Sequence, residues 1–143
     1  MMIERLKDYQ SKKGHWPSNI LMYRDGVSES QYGMVNEEEL PQIIAAYDDC
    51  GIEEHCRPHI TLLVVVKRHH TRFYQQDSNK NFKAGLCVDS AVVAPNLFNF
   101  YLQSHDSPQG TARNGHYVVI HNGSGYSARH LQEIVSFPLI EEK

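Results

Sequence analysis

An α/β fold with a mixed sheet and helices on both faces is what this sequence predicts, and three observations predict it. Residues 20–23 (Ile-Leu-Met-Tyr) and residues 59–66 (His-Ile-Thr-Leu-Leu-Val-Val-Val) are near-continuous apolar runs, as expected of strands covered on both faces, and the second is rich in β-branched residues. Between them, Leu40, Ile43, Ile44 and Tyr47 recur at helical spacing. Strand, helix and strand in this order make a βαβ unit, so the two strands are expected to be parallel and the crossover right-handed.

The elements follow in order. Ile3, Leu6 and Tyr9 are three apart, which gives a helical stripe over residues 3–13, and Gly14 and Pro17 stop it. Residues 20–23 are the first strand. Ser28 with Gln31 fits a capping box ahead of the next helix, where Pro41 should kink the chain or mark a helix start and Gly51 ends the element. Residues 59–66 are the second strand, and residues 75–83 (Gln-Gln-Asp-Ser-Asn-Lys-Asn-Phe-Lys) are a polar loop. Residues 86–93 and 97–103 are expected as short strands with a turn at Pro95-Asn96 between them. Residues 117–121 are a further strand, Asn122-Gly123-Ser124-Gly125 a turn, and residues 127–135 a terminal helix capped by Ser127.

Composition sets bounds on function. A chain of 143 residues buries about two-thirds of its unfolded surface. Three cysteines at irregular spacing (Cys50, Cys56, Cys87) argue against a disulfide framework and for a reducing compartment, so the cytoplasm, or the nucleus, is expected. The longest wholly apolar run is far below the roughly 18 residues of a membrane span, and no membrane partner is expected. The net charge of −3 is unevenly spread: residues 28–54 hold eight acids and no Lys or Arg, whereas residues 57–72 hold four Lys or Arg and no acid. An acidic helix face and a basic element follow.

Two stretches carry chemistry. Tyr23-Arg24-Asp25-Gly26-Val27-Ser28 sets a carboxylate at the end of the first strand, and Lys67-Arg68-His69-His70-Thr71-Arg72 ends the second with cations. Carboxyl ends of parallel strands share one edge of a sheet, the edge at which open α/β folds bind ligands. Arg forks and Lys point charges suit phosphate oxygens, and alternation along a strand end would turn Arg68, His70 and Arg72 to one side. Cys50, His55, Cys56 and His59 lie in one connection rather than in two separated knuckles, which argues against zinc. P-loop, dinucleotide and nucleophile-elbow motifs are absent from the sequence.

Those two stretches, followed by Phe98-Asn99-Phe100-Tyr101-Leu102-Gln103-Ser104-His105 and Gln109-Gly110-Thr111-Ala112-Arg113, resemble the Piwi domain of Argonaute proteins. The resemblance covers roughly residues 3–134 and only the second half of that domain. It implies an RNase H-like Piwi-domain fragment over residues 1–135, followed by a divergent tail at 136–143. It further implies guide-RNA binding in RNA silencing, with guide and target RNA, and other Argonaute segments or silencing-complex proteins, as partners. By resemblance, Lys67, Arg68, His70 and Arg72 contact guide phosphates, and His105 and Arg113 share that role. At Asp106-Ser107-Pro108 the sequence departs from the small or apolar residues that the family often has. Asp25 corresponds to one catalytic, metal-binding aspartate of a carboxylate-rich tetrad. Two-metal hydrolysis holds two ions about 4 Å apart across a phosphate and needs several carboxylates. Mg2+ is therefore expected only in a complete Piwi active site, with no cofactor and no cleavage for this chain alone. The alternative expectation is a non-catalytic protein-interaction module, or a non-functional fragment, from a truncated Argonaute gene.

Overall fold

The computed structural model describes residues 1–78, 80–107 and 109–136. Helix α1 (Met2–Lys13) ends where Gly14 takes φ +77 and returns its N–H to the Gln10 carbonyl at 2.8 Å, a left-handed cap that a Cβ would disfavour. Strand β1 (Asn19–Asp25) follows. Ser28 then donates its N–H to Gln31 Oε1 at 3.0 Å, one arm of the expected capping box, and opens a 3-10 turn (Glu29–Gln31). The helical path continues through α2 (Tyr32–Met34), a π-helical stretch (Val35–Glu39) and α3 (Leu40–Asp49). Pro41 accounts for the change of pitch. It has no N–H for the Glu37 carbonyl and its ring crowds that oxygen, so the preceding turn widens and regular helix starts at Leu40, with the proline in its first turn.

Strands β2 (His59–Val66), β3 (Cys87–Val88), β4 (Asn99–Leu102) and β5 (Gly115–Asn122) complete a mixed sheet of order β1-β2-β5-β4-β3. Helix α4 (Ala128–Ser136) is capped by Ser127, whose Oγ accepts the His130 N–H at 3.2 Å. The chain divides into two compact units, Met1–Leu63 with Ile120–Gly125, and Val64–Val119 with Tyr126–Lys143. In the first, Leu6, Leu40, Tyr47, Ile52 and Ile60 form the core, with Trp16, Ile20 and Ile43 packed against it. In the second, Val64, Phe100, Leu102, Val118 and Leu131 are almost wholly buried.

Several expectations are corrected. Residues 86–93 hold only the two-residue β3: its pairing with β4 ends at Val88, the chain bends from Ser90 on, and Ala91 takes φ +62. Strand β4 is likewise shorter than residues 97–103, although the Phe98 carbonyl and the Gln103 N–H still bond outward to Val119 and Leu86, each at 2.9 Å. Strand β1 is half-buried rather than enclosed on both faces, consistent with its place at the end of the strand order. In α3 the buried face takes Ala46 in place of Ile44, which is left 38% exposed. The expected tail at 136–143 lies, from residue 137 on, outside the described residues.

Tyr47 yields a pH prediction. Its hydroxyl donates to the Pro58 carbonyl at 3.1 Å, and burial pushes the phenol up from 10.0 to about 12, with the charge of Arg57 pulling the other way. The unfolded chain gives up this proton first. Stability is therefore untouched by this group below pH 10.0 and falls as the pH rises from there to about 12. Tyr47→Phe is expected to cost about 1 kcal/mol at neutral pH, through the lost hydrogen bond, and to flatten the alkaline decline. Urea denaturation across that window checks it, and an equally steep decline in the variant contradicts it.

Candidate nucleic-acid interface

The interface starts from strand register. Antiparallel pairing of β4 with β5 sets Tyr101 opposite His116 and Phe100 opposite Tyr117. Both pairs stack, with centroids 4.3 and 5.3 Å apart and planes within 12°. Against the Tyr101/His116 pair rests His69, edge-on to Tyr101 at 5.2 Å and to His116 at 6.3 Å. His69 Nε2 bonds the Asn114 carbonyl at 2.5 Å, so Nε2 is the nitrogen that carries the proton. Phe73 packs edge-on to Tyr101 at 5.5 Å. The loop after β2 is thus pinned at His69 and Phe73, while Lys67, Arg68 and His70 are exposed.

Alternation does not set these directions, because β2 ends at Val66 and residues 67–72 are irregular. Arg72 departs most from the expected common face. It is partly buried, and its Nη1 donates to the His69 and Thr71 carbonyls at 2.8 and 2.7 Å. Its charge therefore braces the loop as well as adding to the local positive field.

His105 and Arg113, both exposed, sit on the loop between β4 and β5. Several side chains that sequence reasoning missed knit this loop to residues 81–86. Gln103, 3% exposed, donates Nε2 to the Phe82 carbonyl at 2.5 Å. Asn81 gives Nδ2 to the Gly110 carbonyl at 2.6 Å and takes the Ala112 N–H on Oδ1 at 2.9 Å. Asp106 accepts the Ala84 N–H at 2.7 Å, so the departure from the family pattern at this position has a structural job. A polar, turn-rich run at 75–83 was the only hint of Asn81 in the sequence. His105 Nδ1 lies 3.2 Å from Ser104 Oγ. These six cationic candidates all belong to the second unit.

Asp25 belongs to the first unit. It is exposed at the end of β1, and its Oδ1 accepts the Gly26 N–H at 2.8 Å, the bond of a turn. Next to it, Arg24 forks onto Glu39, Nε to Oε2 at 2.9 Å and Nη2 to Oε1 at 3.2 Å, which holds the guanidinium even more firmly charged. Asp89 is tied to Gln132 and Glu133 to Arg129. Among the described residues no group of three or more His, Cys, Asp or Glu side chains is arranged to hold a metal ion.

Comparison with known proteins identifies the family. The family model of the Piwi domain fits residues 1–137. The chain is 41% identical over 134 residues to Protein argonaute 4A of Oryza sativa subsp. japonica and 39% identical over 138 residues to Protein argonaute-2 of Drosophila melanogaster. Each match takes in 92% of this chain but only 14% and 11% of the relatives' own length. Among solved structures, the C-terminal lobe of a budding yeast Argonaute superposes with a TM-score of 0.84 at 30% identity, covering 93% of this chain and 30% of that one. Kluyveromyces polysporus Argonaute with a guide RNA gives 0.81 at 30% identity, covering 93% and 18%. Motif order, sheet and matched length agree: the chain belongs to the Argonaute family and corresponds to part of its Piwi domain, of RNase H-like fold.

Proposed function

We propose that this chain binds the sugar-phosphate backbone of a single-stranded guide RNA in RNA silencing and does not cleave RNA by itself. The observation that carries the reading is the exposed set Lys67, Arg68, His70, His105 and Arg113 on two braced loops of one unit, with Arg72 partly buried in the first of those loops. Guanidinium, ammonium and imidazole groups on fixed backbone suit phosphate oxygens, and such contacts position a strand without reading its bases. The guide RNA in a structural neighbour supports the ligand class. Target RNA and other Argonaute segments are the further partners proposed, and the cytoplasm or nucleus the compartment. Asp25 is proposed as one carboxylate of a catalytic site, a ligand for Mg2+ only where further carboxylates join it.

The test is binding of a labelled oligouridylate across a salt series. Affinity is expected to fall linearly on a log–log plot, with a slope of about −0.7 per phosphate neutralised, and oligoadenylate is expected to bind alike. Salt-independent binding, or none, overturns the reading. Guide-dependent cleavage with Mg2+ is expected to yield no product from wild type or from Asp25→Ala. Product from wild type that disappears in Asp25→Ala would show that the chain assembles a working site.

A further inference from the structure

The backbone on both sides of Arg113 is held by side chains from elsewhere in the second unit. On one side, Asn81 Oδ1 accepts the Ala112 N–H at 2.9 Å while Asn81 Nδ2 donates to the Gly110 carbonyl at 2.6 Å and, more weakly, to the Ser107 carbonyl at 3.4 Å. On the other, His69 Nε2 bonds the Asn114 carbonyl at 2.5 Å. Ala112 and Asn114 are 4% and 3% exposed, whereas Arg113 between them is exposed. With both flanking side chains buried and both flanking peptides bonded, the direction in which Arg113 leaves the surface is set by its neighbours. An arginine on a held backbone gives up less conformational freedom on meeting an anion than one on a slack loop.

We infer that Asn81 is a positioning residue for Arg113, acting on a phosphate of the bound strand through the loop backbone rather than by touching the strand itself. The inference rests on the proposed guide-backbone binding and goes further by assigning a role to a neutral side chain in the polar run after β2. Asn81 meets the geometric demand that few residues can. One amide supplies a donor to a carbonyl and an acceptor to an N–H two residues on, the pairing that an adjacent strand would offer. Aspartate at this position would set a carboxylate against the Gly110 and Ser107 carbonyls, and alanine would leave the Ala112 N–H, beside a buried side chain, without its acceptor.

The experiment compares the full chain with Asn81→Ala, Arg113→Ala and the double variant, using a labelled oligouridylate over a salt series. Arg113→Ala is expected to weaken binding about tenfold, as for loss of one charge-assisted bond, and to make the salt slope shallower by about 0.7. Asn81→Ala is expected to produce most of that loss and the same change of slope, although it removes no charge. In the Arg113→Ala background, Asn81→Ala is expected to add almost nothing, because its effect passes through the missing arginine. A purely structural role would lower affinity equally in both backgrounds without altering the slope, and that result overturns the inference. Arg113→Ala without effect sinks both the inference and the place of Arg113 in the proposed function, whereas an effect of Arg113→Ala with none from Asn81→Ala sinks the inference alone. Should Asn81→Ala fail to fold, Asn81→Gln keeps both hydrogen-bonding groups but sets them one methylene too far out. It is expected to show the same loss together with faster tryptic cleavage after Arg113, and wild-type affinity and cleavage rate would overturn the inference.

Discussion

Phe100→Ala is expected to destabilise the fold by about 3–5 kcal/mol, a large share of the roughly 5–15 kcal/mol that holds a domain together. The ring is 0% exposed, lies nearly parallel to Tyr117 with centroids 5.3 Å apart and has the Phe98 ring at 5.9 Å, so truncation removes its own buried area and two aromatic contacts. It also sits one residue from Tyr101, whose ring carries His69 and hence the loop of cations. Chemical denaturation measures the loss. Val92→Ala, at a side chain 51% exposed, serves as the control and is expected to stay within about 0.5 kcal/mol of wild type. A Phe100→Ala cost of under about 1 kcal/mol would contradict the packing described.

The second large effect separates two arginines that look equivalent in the sequence. Arg68→Ala is expected to lower affinity for single-stranded RNA about tenfold at low salt, with a shallower salt slope and an unchanged melting transition, because Arg68 is an exposed side chain on a loop anchored elsewhere. Arg72→Ala is expected to weaken RNA binding and to destabilise the loop as well, since its Nη1 bonds to the His69 and Thr71 carbonyls would be lost. Parallel RNA titrations and thermal melts check both. Equal melting behaviour for the two variants would show that the bracing by Arg72 carries no energy, and unchanged RNA affinity in Arg68→Ala would remove Arg68 from the interface.

Much of the secondary structure was legible because it depends on local patterns. The β-branched run of β2 appears over the residues expected, Gly14 ends α1 in the left-handed region, Gln31 reaches back to Ser28, and Ser127 caps α4. Pro41 was readable as a point of change but not as the cause of a π-helical turn. The strand at 86–93 failed for a physical reason. Its apolar residues suit a strand, but the ladder with β4 holds only Cys87 and Val88, and further on Ala91 takes a positive φ that no strand uses.

For the interface the division is sharper. The sequence by itself determined the family, through four motifs in order, and with it the identity of the charged groups: Asp25 after β1, the cations at 67–72, and His105 and Arg113 further on. Charge and motif are properties of the chain, and no folding is needed to read them. Only the tertiary structure decided which of those groups face outward and which are spent on the fold. Arg72 turned out to brace carbonyls, Asp106 to hold Ala84, and neutral Asn81 to fix the backbone beside Arg113. A side chain's hydrogen-bonding capacity is written in its type, but its partners here lie up to 45 residues away, and the distant ones are brought within reach only when strand register and loop closure set the distances.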